Sequence, residues 1–315
     1  MSVAITREEL SAWSQYVHEI CGVFLDQSKG YLLETRLGGL VRETGAASFS
    51  ELYYKAKSDL SNTLRRKIVD AITTNETSFF RDSAPFDLLR NKLIPELIDR
   101  RKRAGARIVP IKIWSAACSS GQEAYSTGIV LKEMLGDLCS YDIRILGTDI
   151  SDKVVAQASY AHFTRLELER GMPPEKVNKH FVQEGERWKV RDEIRALASF
   201  RTINLLQPFT FPSPFDIIFC RNVAIYFTEP DKKRLFQNLG RCLARDGSLI
   251  IGSTESIAGL CPEFEPQRHL RTVFYRMKDS TTNSPGLPAT PGAGGLNGSF
   301  PSNPLRTNGF ATTLR

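Results

Sequence analysis

The chain has 315 residues, of which 41% are hydrophobic, enough for a buried core in two domains or in one large domain with an appendage. No apolar run reaches the roughly 18 residues that span a bilayer, and the first residues lack the apolar stretch of a signal peptide, so we expect a cytoplasmic protein without direct membrane insertion. The formal net charge is +7. Much of the positive excess lies in one short segment, since residues 91–107 contain six basic and two acidic residues. A charge confined to one segment does not predict a nucleic-acid-binding surface.

The first ninety residues have helical patterns. Thr6 and Glu9 form a capping-box pattern before apolar residues at helical spacing, and Ser48 and Glu51 repeat it. We predict a small all-α domain over residues 1–82.

From residue 83 the pattern changes to α/β. Ser83 is the expected N-cap of a helix with Pro85 in its first turn. The expected strands are 108–114, 143–147, 200–203, 215–220, 248–251 and 272–276, with helices over 122–135, from 151 and over 230–243. This alternation is typical of a largely parallel sheet with helices on both faces.

We place this domain at residues 83–278. The stretch 163–199 departs from the pattern, and within it 181–190 predicts a small hairpin added to the main sheet. Residues 279–315, rich in Pro, Gly, Ser, Thr and Asn, predict a disordered tail.

The cysteines and histidines give no sign of a metal site. The six cysteines are scattered without a C-x-x-C pair, and the four histidines are isolated. We expect neither a zinc site nor disulfides, and we expect the thiols to be free and buried.

Two strand ends carry candidate ligand groups, because ligands of open parallel sheets bind beyond the carboxyl ends of the strands. Residues 115–123 form a loop of small residues that opens a helix, which lets the backbone approach a ligand closely. Asp149 follows the next strand, where nucleotide-binding folds accept ribose hydroxyls, although it could instead cap the following helix, a task that Ser151 can perform. The loop lacks a G-K-[ST] motif and a second glycine, which suits an adenosine ligand without a pyrophosphate, such as S-adenosylmethionine.

Five segments in this order resemble the chemoreceptor glutamate methyltransferase (CheR) family across about residues 5–278. They are TNETSFFRD (74–82), WSAACSSGQE (114–123), TDI (148–150), NLL (204–206) and FDIIFCRNVAIYF (215–227). The resemblance implies an all-α N-terminal domain followed by a Rossmann-like class I methyltransferase domain with a small inserted antiparallel β subdomain.

The resemblance also implies site residues. Those around S-adenosylmethionine would be Asn75, Thr77, Arg81, Glu123, Asp149, Asn204, Leu205, Arg221 and Asn222. Asp149 would accept from the ribose hydroxyls, and Asn204 and Leu205 would flank the adenine. Arg81 and Tyr226 would be the catalytic pair near the methyl group and the incoming carboxylate.

The implied reaction forms methyl esters on glutamates of methyl-accepting chemotaxis receptors and releases S-adenosylhomocysteine without a metal. The implied enzyme is a cytoplasmic monomer, recruited to receptor arrays, whose helical domain docks on the receptor's helical bundle through Arg36, Arg42 and nearby basic residues. The short turn at Gly185 predicts action without a tethering peptide at the receptor's C-terminus.

Two alternatives remain at this point. A nucleic-acid or amine methyltransferase would share the fold, but residues 221–223 read Arg-Asn-Val instead of an Asn-Pro-Pro-Tyr-type turn. A scaffold that senses S-adenosylmethionine without catalysis would not need Arg81 and Tyr226. Phe79 and Phe80 are expected to be core residues.

Overall fold

The structure is a computed structural model that describes residues 4–278. The tail predicted over 279–315 lies outside these residues. Within the described range, no helix has both the length and the apolar character needed to cross a bilayer.

Residues 4–72 contain helices and no strand, which confirms the prediction of an all-α N-terminal region. Its helices are α1 (Arg7–Cys21), α2 (Gly30–Glu43), α3 (Phe49–Ser58) and α4 (Thr63–Ile72), with a 3₁₀ turn at Gln27–Lys29. Their apolar faces form one core, in which Trp13 is fully buried and donates from its indole nitrogen to the carbonyl of Phe49 at 3.0 Å.

Of the two capping boxes predicted from the sequence, the one at α1 is complete and the one at α3 is only partly formed. At α1, Thr6 Oγ1 accepts from the N–H of Glu9 while the Glu9 carboxylate accepts from the N–H of Thr6, which completes the box. At α3, Ser48 caps the helix, but Glu51 accepts from the N–H of Ala47 instead of Ser48. The second box is therefore only half formed.

The remaining helices surround the sheets. They are α5 (Ser83–Leu88), α6 (Ile94–Arg103), α7 (Gln122–Leu135), α8 (Asp152–Tyr160), α9 (Arg165–Glu169), α10 (Pro174–His180), α11 (Asp192–Arg195) and α12 (Glu229–Cys242), with a π-helical turn at Leu89–Leu93 and a 3₁₀ turn at Ala224–Tyr226. The expected cap at Ser83 is wrong, because α5 begins at Ser83 after Asp82. The Asp82 carboxylate pairs with Arg221 and does not cap the helix.

Ten strands lie in the described chain. They are β1 (Val109–Ala116), β2 (Tyr141–Asp149), β3 (His162–Thr164), β4 (Phe181–Glu184), β5 (Arg187–Val190), β6 (Ala198–Thr202), β7 (Phe215–Cys220), β8 (Leu243–Ile251), β9 (Phe264–His269) and β10 (Thr272–Met277). Seven of them form the main sheet in the order β6-β2-β1-β7-β8-β10-β9.

The main sheet is parallel except at one edge, as predicted. β6, β2, β1, β7 and β8 run parallel, and β10 is antiparallel to both β8 and β9. Since the chain proceeds from β1 outward through β2 and later resumes on the other side with β7, the strand order switches between β1 and β7. Ligands of such sheets bind at this point, beyond the carboxyl ends of the strands.

Two details of the β structure differ from the prediction. The hairpin of β4 and β5 pairs with β3 in a separate three-stranded antiparallel sheet and not with the main sheet, which confirms the small inserted antiparallel subdomain that the resemblance implied. Its apolar residues Phe163, Phe181 and Val190 pack with Phe79 and with Tyr125 of α7. β9 was missed because its polar sequence, with most residues at least partly exposed, has no apolar alternation.

The cysteines carry no disulfides within residues 4–278, and five are buried as expected. Cys139 is the exception, because it lies in the exposed turn before β2.

Candidate functional site

A cleft lies between the helical region and the carboxyl edge of the main sheet. It encloses about 770 Å³ of empty space, part of it open to solvent. Cys21, Val23 and Ile72 line its helical side, and the loops that follow β1, β2 and β7 line the other side. The cleft therefore coincides with the switch in strand order.

The loop after β1 has an unusual backbone. Ala117, Ser119 and Gly121 have φ angles of 61°, 51° and 93°, in the left-handed region. This conformation costs a non-glycine residue about 1 kcal/mol or more, and such strain clusters at ligand sites. At Gly121 an added Cβ would lie 2.9 Å from Cβ of Ala158, so only glycine fits.

Asp149, at the end of β2, faces the cleft with a buried carboxylate. Oδ2 accepts from the N–H of Ser119 at 2.9 Å, and Oδ1 accepts from the N–H of Ser151 at 3.1 Å. Ser151 caps α8 by accepting from the N–H of Val154, so Asp149 does not perform that task. Burial raises the pKa of Asp149, and the N–H groups of Ser151 and Ser119 oppose that rise. Each oxygen keeps a lone pair for hydroxyl donors.

Arg221, just after β7, is the centre of a buried ion cluster. Its side chain is 3% exposed, and Nη1 donates to Glu123 Oε2 at 3.0 Å. Nη2 donates to Asp82 Oδ2 at 2.8 Å and to the carbonyl of Arg81 at 2.9 Å. The second oxygen of Glu123 accepts from the hydroxyl of Ser115 at 2.7 Å. Charge-assisted contacts of this kind fix side chains firmly when water is excluded.

Residues 73–82 cross from the helical region to the sheet along the cleft. The hydroxyl of Ser119 donates to the carbonyl of Asn75 at 2.9 Å, and the N–H of Phe80 donates to Ser126 Oγ at 3.0 Å. Phe80 and Asp82 have φ angles of 49° and 54°. The crossing segment is thus held in a strained conformation against α7 and the β1 loop.

Arg81 and Tyr226 differ from these groups because their polar ends are largely unused. Arg81 donates from Nη1 to the carbonyl of Glu76 at 3.0 Å and makes no ion pair with any residue from 4 to 278. The Tyr226 hydroxyl has no hydrogen-bond partner in that same part of the chain, whereas its backbone carbonyl accepts from the N–H of Phe24 at 2.9 Å. Both side chains line the cleft and can contact a ligand there.

Eight of the ten site residues named from the sequence lie together in this cleft. They are Asn75, Thr77, Arg81, Glu123, Asp149, Arg221, Asn222 and Tyr226. Asn204 and Leu205 are not among its lining residues. Leu205 is buried in the core beside the sheet, and Asn204 donates to the carbonyl of Ile20 at 3.1 Å. Their place beside an adenine stays a prediction.

The sequence did not identify the helical wall of the cleft. Cys21 and Val23 flank Gly22, which ends α1 with a φ of 75°, and an added Cβ there would lie 2.0 Å from Leu206 Cδ1. A glycine after an amphipathic helix predicts a cap, but nothing in it indicates contact with a loop almost two hundred residues later. Phe79 is fully buried, as expected, and Phe80 is partly buried.

The donor set of the cleft suits a ligand with hydroxyls and mixed charge. Three carboxylates (Glu76, Glu123 and Asp149) and two guanidinium groups (Arg81 and Arg221) line it, and no lysine does. Among residues 4–278, no three His, Cys, Asp or Glu side chains come together in a way that could hold a metal ion.

Comparison with known proteins gives consistent matches over most of the chain. The all-alpha domain of CheR methyltransferases matches residues 8–73, and the SAM-binding domain of CheR methyltransferases matches residues 75–272. A chemotaxis protein methyltransferase of Vibrio parahaemolyticus is 37% identical over 282 residues, covering 88% of this chain and 99% of that protein. Chemotaxis protein methyltransferase Cher2 of Pseudomonas putida is 36% identical over 268 residues, covering 84% and 95%.

Similarity to solved structures is more remote. Magnesium protoporphyrin IX methyltransferase from Synechocystis with bound SAM is 14% identical, covers 75% of this chain and 93% of that one, and has a TM-score of 0.33.

Proposed function

Since the chain belongs to the CheR methyltransferase family and is an S-adenosylmethionine-dependent methyltransferase, we propose that its cleft brings this methyl donor against a glutamate carboxylate of a bacterial chemoreceptor. The observation that carries the proposal is that the largely free guanidinium of Arg81 and the Tyr226 hydroxyl, which has no hydrogen-bond partner within residues 4–278, line the same cleft as the buried carboxylate of Asp149. Each group has the chemistry that one part of the reaction needs.

The cofactor would be held mainly by groups at the strand ends. Asp149 has lone pairs available for the ribose hydroxyls, and the left-handed loop after β1 allows close backbone approach. Glu123 and Arg221, already paired, offer opposite charges for the ammonium and carboxylate ends of the methionine part. Asn75, Thr77 and Asn222 complete this wall, and Asn204 with Leu205 would flank the adenine.

The acceptor needs positioning more than it needs a base. A glutamate carboxylate has a pKa of about 4.3, so near neutral pH it is already an anionic nucleophile. When bound, S-adenosylmethionine supplies an electrophilic methyl group that becomes the glutamate methyl ester, while the electron pair of the broken bond stays on sulfur. Alignment of the two reactants in a closed site can contribute roughly 7–11 kcal/mol. This agrees with the lack of a histidine or a lysine among the residues that line the cleft.

Arg81 would orient the acceptor carboxylate, because its guanidinium keeps N–H groups beyond the one used by the Glu76 carbonyl. Two strong contacts to both acceptor oxygens would weaken the nucleophile. We therefore propose that Arg81 holds one oxygen and leaves the other free for attack. The Tyr226 hydroxyl would contribute a second, weaker donor.

The receptor itself would be engaged by the helical region. We propose that residues 1–82 dock on the cytoplasmic helical bundle of the receptor, and that a monomer recruited to receptor arrays acts without a tethering peptide. The position of the cleft beside α1 and α4 supports docking at this face, since the acceptor must enter between the two regions.

The test is transfer from radiolabelled S-adenosylmethionine to receptor-containing membranes, followed by base treatment. Methyl esters release methanol, whereas methylated amines and nucleic-acid bases do not. We expect Arg81→Ala and Tyr226→Phe to lower kcat by about 10²-fold and 10-fold while the Kd for S-adenosylhomocysteine changes less than threefold. Arg103→Ala, an exposed arginine in α6, is the matched control. Full activity in both cleft variants would contradict the roles assigned to Arg81 and Tyr226. Absence of base-labile methanol would contradict the proposed formation of methyl esters.

A further inference from the structure

We infer that Arg36 of α2 is a positioning residue for the cofactor cleft and that it does not act as a free cation for acidic groups of the receptor. The inference rests on the proposed function, because it concerns how the wall that holds S-adenosylmethionine is assembled. It also replaces the docking role that the sequence suggested for this arginine.

The guanidinium of Arg36 is committed to three consecutive residues. Nη1 donates to the carbonyl of Ile72 and, at 3.0 Å, to the carbonyl of Thr73. Nη2 donates to Thr74 Oγ1 at 3.0 Å. Ile72 ends α4, where backbone carbonyls lack helical N–H partners, so the arginine satisfies groups that the helix cannot. The fixed fork of the guanidinium suits this task, and a single ammonium does not.

The three residues that Arg36 holds are themselves part of the cleft. Ile72, Thr73 and Thr74 line it directly. The next residue, Asn75, accepts from the hydroxyl of Ser119, whose N–H in turn donates to Asp149. Arg36 therefore fixes one end of a series of contacts that leads to the proposed ribose acceptor.

The other end of the crossing segment has its own anchor, since Arg221 donates to the carbonyl of Arg81 at 2.9 Å. Two arginines from different regions thus hold residues 72–81 at both ends. Loss of either should loosen the segment that carries Asn75 and Thr77.

Arg42 on the same helix provides the contrast. Its side chain is exposed and makes no ion pair with residues 4–278. It keeps the free charge that a docking role requires, whereas both terminal nitrogens of Arg36 are already used. If α2 acted only in docking, substitution of either arginine would weaken receptor binding and leave cofactor affinity unchanged. The positioning role predicts that substitution of Arg36, but not of Arg42, weakens cofactor affinity.

Arg36→Lys separates the two roles, because lysine keeps the positive charge but presents one nitrogen in place of the two that the fixed fork places against these acceptors. We expect the Kd for S-adenosylhomocysteine, measured by titration calorimetry, to rise about tenfold in Arg36→Lys and at least as much in Arg36→Ala. Arg42→Ala should leave that Kd within twofold of the wild type. Amide exchange in residues 73–77 should accelerate in Arg36→Lys, while exchange in α1 stays unchanged.

A change in overall stability alone would not alter the Kd of the folded protein, so the calorimetric result distinguishes positioning from a general structural role. The inference would be overturned if both Arg36 variants bound S-adenosylhomocysteine with the wild-type Kd. It would also be overturned if Arg36→Ala bound it more weakly but Arg36→Lys had the wild-type Kd. If the wild type itself bound no S-adenosylhomocysteine, that result would contradict the proposed function, and with it the inference that rests on it.

Discussion

The helices of residues 7–72 and the carboxyl edge of the main sheet are stabilised by different interactions. The helical region has a continuous apolar core, and its helix ends are closed by local caps such as Thr6. The sheet edge contains the buried charges of Asp149 and Arg221. Left-handed non-glycine residues also concentrate here, since Ala117, Ser119 and Asn222 line the cleft, and Phe80 and Asp82 flank Arg81, which lines it too.

This difference indicates where structure serves stability and where it serves binding. Apolar packing stabilises a fold without regard to a ligand. Buried charges and strained backbone cost free energy and persist where the surrounding structure and a ligand need them. Substitutions in the helical core should therefore change stability alone, whereas substitutions at the sheet edge should change both stability and cofactor affinity.

The largest effect is expected for Arg221→Met. Removal of the guanidinium leaves the carboxylates of Glu123 and Asp82 without their partner, and Glu123 is only 13% exposed. Breaking a buried pair in this way should lower the free energy of unfolding by about 3–5 kcal/mol. We also expect cofactor binding to be lost, as judged by calorimetry at a temperature where the variant is folded. A folded variant with wild-type affinity would contradict the comparison.

The matched substitution in the helical core is Leu52→Ala in α3, where the leucine is fully buried and does not line the cleft. The cavity should cost about 3 kcal/mol of unfolding free energy in urea titrations. The Kd for S-adenosylhomocysteine should equal that of the wild type. A weaker Kd here would mean that the two regions are coupled through the core.

The same division explains how much the sequence could predict. Periodic apolar residues indicated the helical N-terminal region, because burial of one helix face imposes that period. Short apolar runs indicated the parallel strands, because helices cover both faces of such a sheet. The strand-end rule located Asp149 and the β1 loop. Even Ser151 was identified as the cap of α8.

What the sequence could not predict depends on contacts between distant residues. The pairing of Arg221 with Asp82, which overrides the expected cap at Ser83, joins positions 139 residues apart. The left-handed Ala117 has no sequence signal, since alanine ordinarily avoids that conformation. The helical wall at Val23 arises only when α1 meets the sheet.

A second ion cluster, around Glu133, lies away from the cleft. It tests whether a buried charge affects cofactor affinity wherever it lies, or only at the cleft. Burial acts to raise the pKa of Glu133, but hydrogen bonds from Lys176, His180 and Arg90 outweigh it and lower the pKa from 4.5 to about 2. Because the folded-state pKa is depressed, this stabilisation is present above about pH 4.5 and is lost as pH falls toward 2. Glu133→Gln should lower the free energy of unfolding by about 2 kcal/mol at pH 7.

The stability of Glu133→Gln should also depend less on pH than that of the wild type when urea titrations are compared between pH 6 and 3, a range that includes the acid side of the unfolded-state pKa of 4.5. The Kd for S-adenosylhomocysteine should stay within threefold, since Glu133 does not line the cleft. An equal acid dependence in variant and wild type would assign the stabilisation to other groups.

The smallest effects are expected at two helix caps with the same local chemistry but different neighbours. Thr6→Ala and Ser151→Ala should each cost about 1 kcal/mol in urea titrations, because each removes a hydroxyl that accepts from the first turn of a helix. The Ser151 hydroxyl also donates to Asp70 of α4 at 2.6 Å, so it connects the helical region to the residue whose N–H donates to the carboxylate of Asp149, the proposed ribose acceptor. We therefore expect Ser151→Ala to weaken S-adenosylhomocysteine binding about threefold, and Thr6→Ala to leave the Kd unchanged. Equal affinities in the two variants would show that the cleft tolerates loss of this contact, and that its geometry is set by the backbone of Asp149 and Ser119 alone.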